Sequence, residues 1–374
     1  MRTFIFTLLL LTSISLTSCA QPSEAEVDLD TKIGQMLMVG FRGLEIDENH
    51  PIVDDIKKRH LGGVVLFDYD VPLDTAVRNI QSPEQLGQLT EQLQSVAEIP
   101  LFIAIDQEGG VVSRLKTKFG FPPTVSVKYL GEVNNIDTTR KYARRTAKTL
   151  KKMGINTNLA PVVDLNTNPD NPIIGAIERS FSADPEIVAK HAATYIKTLH
   201  EYDIITTLKH FPGHGSSEDD SHKGYVDVTQ TWQRKELKPY KNLIDRGLAD
   251  IIMTAHIFNA RLDSTYPATL SEATISGLLR DSLNFEGVVI SDDMQMKAIR
   301  SFYNLKEAIK KALQAGVDIL VFANNTIFQP DIAERAHQTI KELVESGEIS
   351  RERIQRSYER IMELKQQYLM ENNE

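Results

Sequence analysis

Short runs of apolar, mostly branched residues, each bounded by glycine, proline or polar residues, recur eight times along the chain. They fall at residues 36–39, 63–67, 101–105, 159–163, 204–208, 250–254, 287–290 and 317–321. Near-continuous hydrophobicity of this kind is what a parallel strand buried on both faces requires, whereas a half-solvated sheet alternates apolar with polar. The stretches between the runs have helical spacing. Ile187, Val188, Ala192, Tyr195, Ile196 and Leu199 recur at three and four residues, which predicts one buried stripe. Ser271 stands ahead of a helical pattern over 272–283 as its N-cap. An α/β chain in which strand and helix alternate eight times is expected to close into a TIM-type (β/α)8 barrel. A doubly wound open sheet has the same local pattern; the count of eight and the chain length favour the barrel. No repeat and no interior linker rich in Pro, Gly and Ser divides the 374 residues, so a single domain is expected.

The first thirty residues bear on location. Arg2 precedes an apolar stretch over 4–11, the size of a signal-peptide core and too short to span a bilayer. Leu16-Thr17-Ser18-Cys19 resembles the site at which a bacterial signal peptidase cuts ahead of a cysteine that then carries lipid. Cys19 is the single cysteine, so an exported chain has no internal disulfide for it to form, and an attachment point is the better reading. Residues 1–18 are therefore expected to be a lipoprotein signal peptide, 19–30 a tether from lipidated Cys19, and 31–374 the barrel. The competing reading is an ordinary signal peptide that happens to end near a cysteine. The expected location is the cell envelope, lipid-anchored to a membrane. With 51 acidic against 42 basic residues and a net charge of −9, the chain lacks the cationic excess that a nucleic-acid partner requires.

Polar residues gather just after the apolar runs: Asp106, Asp164, Lys209 with His210, His256, Asp292 and Asn324. In a barrel these positions are the C-terminal ends of the strands, where the mouth lies. For His256 and Asn324 a loop-stitching role weighs as much as a functional one.

Residues 211–229 form a long connection with Pro, several Gly, Ser and acids, and such a loop inside a compact domain is usually functional or disordered. Asp220 and His222 are two residues apart, so in an extended stretch their side chains share a face. A carboxylate beside one ring nitrogen fixes the tautomer and favours the imidazolium, leaving the other nitrogen to exchange a proton. His210, His214 and His222 with Asp220 also supply metal-ligand types. Against a metal, His210 and His214 would share a face only on a helix, and Phe211-Pro212-Gly213 between them is a poor one. Asp292 and Asp293 follow a strand, so they point to opposite sides. Asp293 stands where it could cap the next helix, which leaves Asp292 to face the mouth.

Lys209-His210-Phe211-Pro212-Gly213-His214-Gly215, followed by Asp220-Ser221-His222, resembles the signature of glycoside hydrolase family 3 in its single-domain β-N-acetylglucosaminidase (β-hexosaminidase) branch. Further landmarks keep the family's order: Ile33-Gly34-Gln35-Met36-Leu37, Asp106-Gln107-Glu108-Gly109-Gly110 with Arg114, Ala160-Pro161-Val162-Val163-Asp164, Arg179-Ser180-Phe181, Pro267-Ala268-Thr269-Leu270-Ser271 and Ser291-Asp292-Asp293-Met294. The resemblance implies a retaining exo-β-N-acetylglucosaminidase acting on peptidoglycan-type glycans, with no cofactor and no metal. It implies that Asp292 is the nucleophile and the Asp220–His222 pair the acid/base. It gives Asp106, Arg114, Arg179, Lys209 and His210 to the hydroxyls of the terminal sugar, and His214 to the shape of the loop. For Arg114 and Arg179 the alternative is a salt bridge that shapes loops. The chain departs from the family at Val111, where an arginine is usual, at Ile177 in place of glycine, and at Gly224-Tyr225-Val226 in place of Leu-Pro. A phosphorylase of the same branch would use phosphate instead of water. A β-glucosidase of the wider family usually needs a second domain, and a non-catalytic glycan-binding lipoprotein would lack Asp292 or the dyad.

Overall fold

In the computed structural model, which describes residues 27–370, ten strands form: β1 (Leu37–Gly40), β2 (Gly63–Leu66), β3 (Phe102–Ile105), β4 (Gln107–Gly109), β5 (Val112–Ser113), β6 (Thr157–Asn158), β7 (Ile205–Phe211), β8 (Ile251–Thr254), β9 (Val288–Asp293) and β10 (Ile319–Phe322). Eight of them close into a barrel in the order β1-β10-β9-β8-β7-β6-β3-β2, every neighbouring pair parallel. The expected (β/α)8 architecture is therefore the observed one. The remaining two make a small antiparallel hairpin in the connection after β3.

The α-helices are α1 (Leu29–Gln35), α2 (Pro51–Arg59), α3 (Pro83–Ser95), α4 (Val127–Val133), α5 (Ile136–Lys152), α6 (Pro185–His200), α7 (Lys238–Asp245), α8 (Lys297–Arg300), α9 (Leu305–Ala315), α10 (Ile332–Glu345) and α11 (Arg351–Lys365). Their starts are chemically explicit. Asp184 accepts a hydrogen bond from Glu186 N, and Pro185 opens α6 where its missing N–H costs nothing. On α6 the stripe Val188, Ala192, Tyr195, Ile196 and Leu199 is buried against the barrel, while Ile187 stays at its edge. Ser271 Oγ accepts from Thr274 N at 3.0 Å, as expected of a cap, and the segment it opens, Ala273–Ser282, winds as a π-helix.

Two sequence expectations shift. The fourth run, 159–163, supplies a strand one step earlier, at β6, and then departs from the ladder; only Val162 pairs again, with Lys209. The folded body also begins before residue 31: Asp28 caps α1 and Asp30 bonds Lys341, so the last three residues of the expected tether belong to the barrel. Cys19 and the signal-peptide assignment lie outside the described residues.

The N-terminal face of the barrel is held by a buried carboxylate. Asp318, just before β10, accepts from Val289 N and pairs with Arg280 at 2.6 Å, Arg360 at 3.3 Å and Arg353 at 3.6 Å. These arginines come from the π-helix and α11, so one fully buried side chain ties β9, β10 and two helical elements together. The opposite face carries the polar residues singled out above.

Candidate active site

At the C-terminal ends of the strands lies a cavity of about 230 Å³. Asp106, Arg114, Arg179, Lys209, His210, His222 and Asp292 all line it, so seven of the eight side chains assigned to catalysis or sugar binding meet in one place. The eighth, Asp220, is bonded to His222.

One wall is a charged lattice. Lys209 Nζ sits 2.8 Å from Asp106 and 2.6 Å from Glu108, and Arg114 reaches Asp106 at 3.2 Å. Arg179 grips both oxygens of Glu108 at 2.8 Å, a planar fork on a planar carboxylate. Burial alone would raise the Asp106 and Glu108 carboxyls, but Lys209 with Arg114, and Arg179 with Lys209, hold them below the ordinary range. Lys209 and Arg179 are raised in turn, against burial, by the same carboxylates. Asp106, Glu108, Lys209 and Arg179 are therefore charged, pre-oriented donors and acceptors. Arg114 and Arg179 are each ion-paired, as the salt-bridge reading expects, and each also lines the cavity. Glu108 escaped the sequence assignment although it stands two residues past Asp106, the spacing that keeps side chains on one side of a strand.

Asp164 organises the second wall. It accepts from His210 N, from His210 Nδ1 at 2.7 Å and from His214 N at 2.7 Å, and His210 keeps its carboxyl lowered although burial opposes this. Arg179 can only donate to His210 Nε2, at 3.3 Å, so the His210 proton lies on Nδ1, toward Asp164. Gly215 passes so close to Leu165 O that a Cβ there would sit 1.8 Å away, which makes glycine obligatory in this bend.

Beneath the loop, His214 Nδ1 meets Ser217 Oγ at 2.7 Å and Nε2 meets Ser221 Oγ at 3.1 Å, while Asn171 donates to His214 O and Ser217 Oγ. Burial pushes the His214 pKa down to about 4, so it is a neutral anchor rather than a proton carrier. Ser221 stands between Asp220 and His222, and the network thus fixes the pair from below. The pair itself is a turn, not the extended stretch the spacing suggested. Asp220 Oδ1 accepts from both His222 N and His222 Nδ1, each at 2.9 Å. That leaves Nε2 toward the cavity. The Asp220 pKa falls to about 2 through the hydrogen bond from His222. Burial lowers the His222 pKa, but the Asp220 hydrogen bond and the Asp292 charge outweigh it and raise it overall.

Asp292 and Asp293 both line the cavity, against the expectation that alternation would turn only Asp292 to it, and their hydrogen bonds set them apart. Burial opposes ionisation of Asp292, but His256, His210 and His222 keep its pKa below the usual value. Asp293 turns to the backbone, its Oδ1 accepting from Gln295 N and Ala323 N at 3.0 Å, and burial raises its pKa to about 6. It caps the turn 294–296 and stitches β9 to β10, rather than capping α8, whose start has no side-chain cap. His256 Nε2 donates to Asp293 O at 3.0 Å and its Nδ1 meets Thr269 Oγ1, and Asn324 donates to Gly40 O and Gln329 O. Both thus act as stitching residues behind the site. Among the described residues no group of three or more His, Cys, Asp or Glu side chains is placed to hold a metal ion.

The Glycosyl hydrolase family 3 N terminal domain profile matches residues 28–364. The chain belongs to glycosyl hydrolase family 3. It is 32% identical to beta-hexosaminidase A of Pseudoalteromonas piscicida, over 94% of this chain and 64% of that one. It is 31% identical to beta-hexosaminidase LpqI of Mycobacterium tuberculosis, over 93% and 86% respectively. A glycoside hydrolase family 3 beta-N-acetylglucosaminidase from Paenibacillus sp. superposes with a TM-score of 0.84 at 35% identity, covering 93% of this chain and 64% of that structure. The chain thus spans just under two thirds of the length of the first and last of these. Of its departures from the family pattern, Ile177 lines the cavity, whereas Val111 is solvent-exposed.

Proposed function

We propose that this family 3 chain is a retaining exo-β-N-acetylglucosaminidase that removes terminal N-acetylglucosamine from peptidoglycan-type glycans. The observation that carries the reading is that one cavity is lined by a half-buried carboxylate, Asp292, whose pKa is held below the usual value, and by a histidine held by a carboxylate, His222 on Asp220. In the first step an Asp292 oxygen attacks the anomeric carbon, the bond to the aglycone oxygen breaks, and His222 Nε2–H gives that oxygen its proton. In the second, neutral His222 takes a proton from water, the hydroxyl oxygen attacks the same carbon, and Asp292 leaves as a carboxylate. Asp106, Arg114, Arg179, Lys209 and His210 hold the outer hydroxyls, and a sugar lacking them would strand charged partners.

The test compares chromophore release from an aryl β-N-acetylglucosaminide and an aryl β-glucoside at matched concentrations. The reading expects the first to exceed the second by roughly a hundredfold or more in kcat/KM. A preference for the glucoside would overturn the substrate assignment.

Location is part of the same proposal. Cys19 is the lipid attachment point and the protein works in the cell envelope, a reading supported by the residues around Cys19. With Cys19→Ser the protein should leave the detergent-soluble membrane fraction with its catalysis intact; unchanged membrane association would sink the anchor.

A further inference from the structure

Three aromatic rings from three different connections, each following a barrel strand, meet one another. Tyr225 follows β7, Phe258 follows β8 and Phe302 follows β9. The ring centroids of Tyr225 and Phe258 are 5.5 Å apart and those of Tyr225 and Phe302 are 5.8 Å apart, contact distances for aromatic pairs. Reciprocal backbone bonds hold the first two together, Val228 N to Phe258 O and Phe258 N to Val226 O, both at 2.8 Å. Yet Tyr225 is 48% exposed and Phe302 is 57% exposed. A lone exposed aromatic is ordinary, but a braced cluster with two rings open to solvent is a contact surface without its partner.

Position says what that partner is. Tyr225 lies three residues beyond His222 on the same loop, a span of at most about 10 Å. His222 is the group that hands a proton to the oxygen of the leaving group, and its side chain is itself 49% exposed. The ring attached to that oxygen must therefore emerge beside His222, within reach of the loop that carries Tyr225. A pyranose ring has an apolar C–H face and a polar rim, the shape that an aromatic face accepts without unpaired polar groups. We propose that Tyr225 and Phe302, braced by Phe258, are the platform for the first sugar of the leaving group. Tyr225 stands on the loop that carries His222, so the platform sets this chain's aglycone preference. The inference rests on the glycosidase reading above.

The experiment measures kcat/KM for wild type, Tyr225→Ala, Phe302→Ala and Tyr225→Trp on two substrates: the β-1,4-linked disaccharide of N-acetylglucosamine, and methyl β-N-acetylglucosaminide, which has no ring to stack. Each alanine variant should lose roughly three- to tenfold on the disaccharide, mainly through KM, while the methyl glycoside stays within about twofold. Tyr225→Trp should keep disaccharide activity. Equal losses on both substrates would make the cluster a brace for the His222 loop, and no loss on the disaccharide would leave the rings to an apolar or peptide partner; either overturns the proposal. If the wild type cleaves neither substrate, the glycosidase reading itself falls and takes the platform with it.

Discussion

Asp292 and Asp293 differ by one peptide bond and are driven in opposite directions, the first held ionised by surrounding histidines, the second raised to about 6 by burial. That adjacent strand residues differ in direction was legible in the sequence, although both acids line the cavity. The partner of Asp293 was not, because the acceptor it provides serves the backbone of a neighbouring strand, Ala323, which local spacing cannot reveal. The same holds for Asp220 and His222. Their contact was legible from two-residue spacing, but the turn that makes it depends on a buried bond between Ser221 and His214. At this scale the dyad makes a forecast. His222→Ala should cost about a hundred- to ten-thousandfold on sugar leaving groups and far less on activated aryl glycosides, which need little protonation. The imidazolium is the form that acts in the first step, so a raised His222 pKa keeps kcat/KM high up to a higher pH and lets it fall as pH rises through that value. Asp220→Asn removes the carboxylate, so the alkaline limb of the pH profile should move down. A limb that stays in place would assign Asp220 to the loop alone.

Seven of the eight barrel strands coincide with their apolar runs to within a few residues, because a strand covered on both faces must be apolar throughout, and that demand is written locally. The exception is β6, where the ladder uses Thr157 and Asn158, and Asn158 is bonded to Tyr195 and to Gln107 backbone groups instead of being apolar. A polar residue satisfied from three directions reads as a loop until the neighbours are known. The Asp318 cluster is of the same kind: its three arginines come from elements up to 42 residues away in sequence, with no local pattern linking them. Asp318→Ala should leave Arg280, Arg353 and Arg360 facing one another and cost about 3–5 kcal/mol of stability. Denaturant unfolding checks this, with KM of the surviving folded enzyme unchanged, since the cluster lies on the face away from the cavity. A loss under 1 kcal/mol would show that the arginines find other partners.

Taken as a whole, the barrel brings to one cavity residues spread from Asp106 to Asp292, nearly half the chain. What made this legible was the topology: once eight parallel strands close, the residues after each strand must share one rim. What the topology could not supply was the pairing within the rim, such as Glu108 holding both Arg179 and Lys209. On the proposed mechanism Asp292, of the two adjacent acids that line the cavity, is the one that bonds to the anomeric carbon. A rival route exists for acetamido sugars, in which the substrate's own acetamido oxygen attacks and the acids merely assist. The deciding measurement incubates the enzyme with a 5-fluoro glycosyl fluoride of the N-acetylglucosamine series and maps the modified peptide by mass spectrometry. The account predicts time-dependent inactivation with the sugar on Asp292, and near-complete loss of turnover in Asp292→Ala. Turnover without any covalent adduct, together with strong inhibition by a thiazoline mimic of the cyclised acetamide, would contradict it.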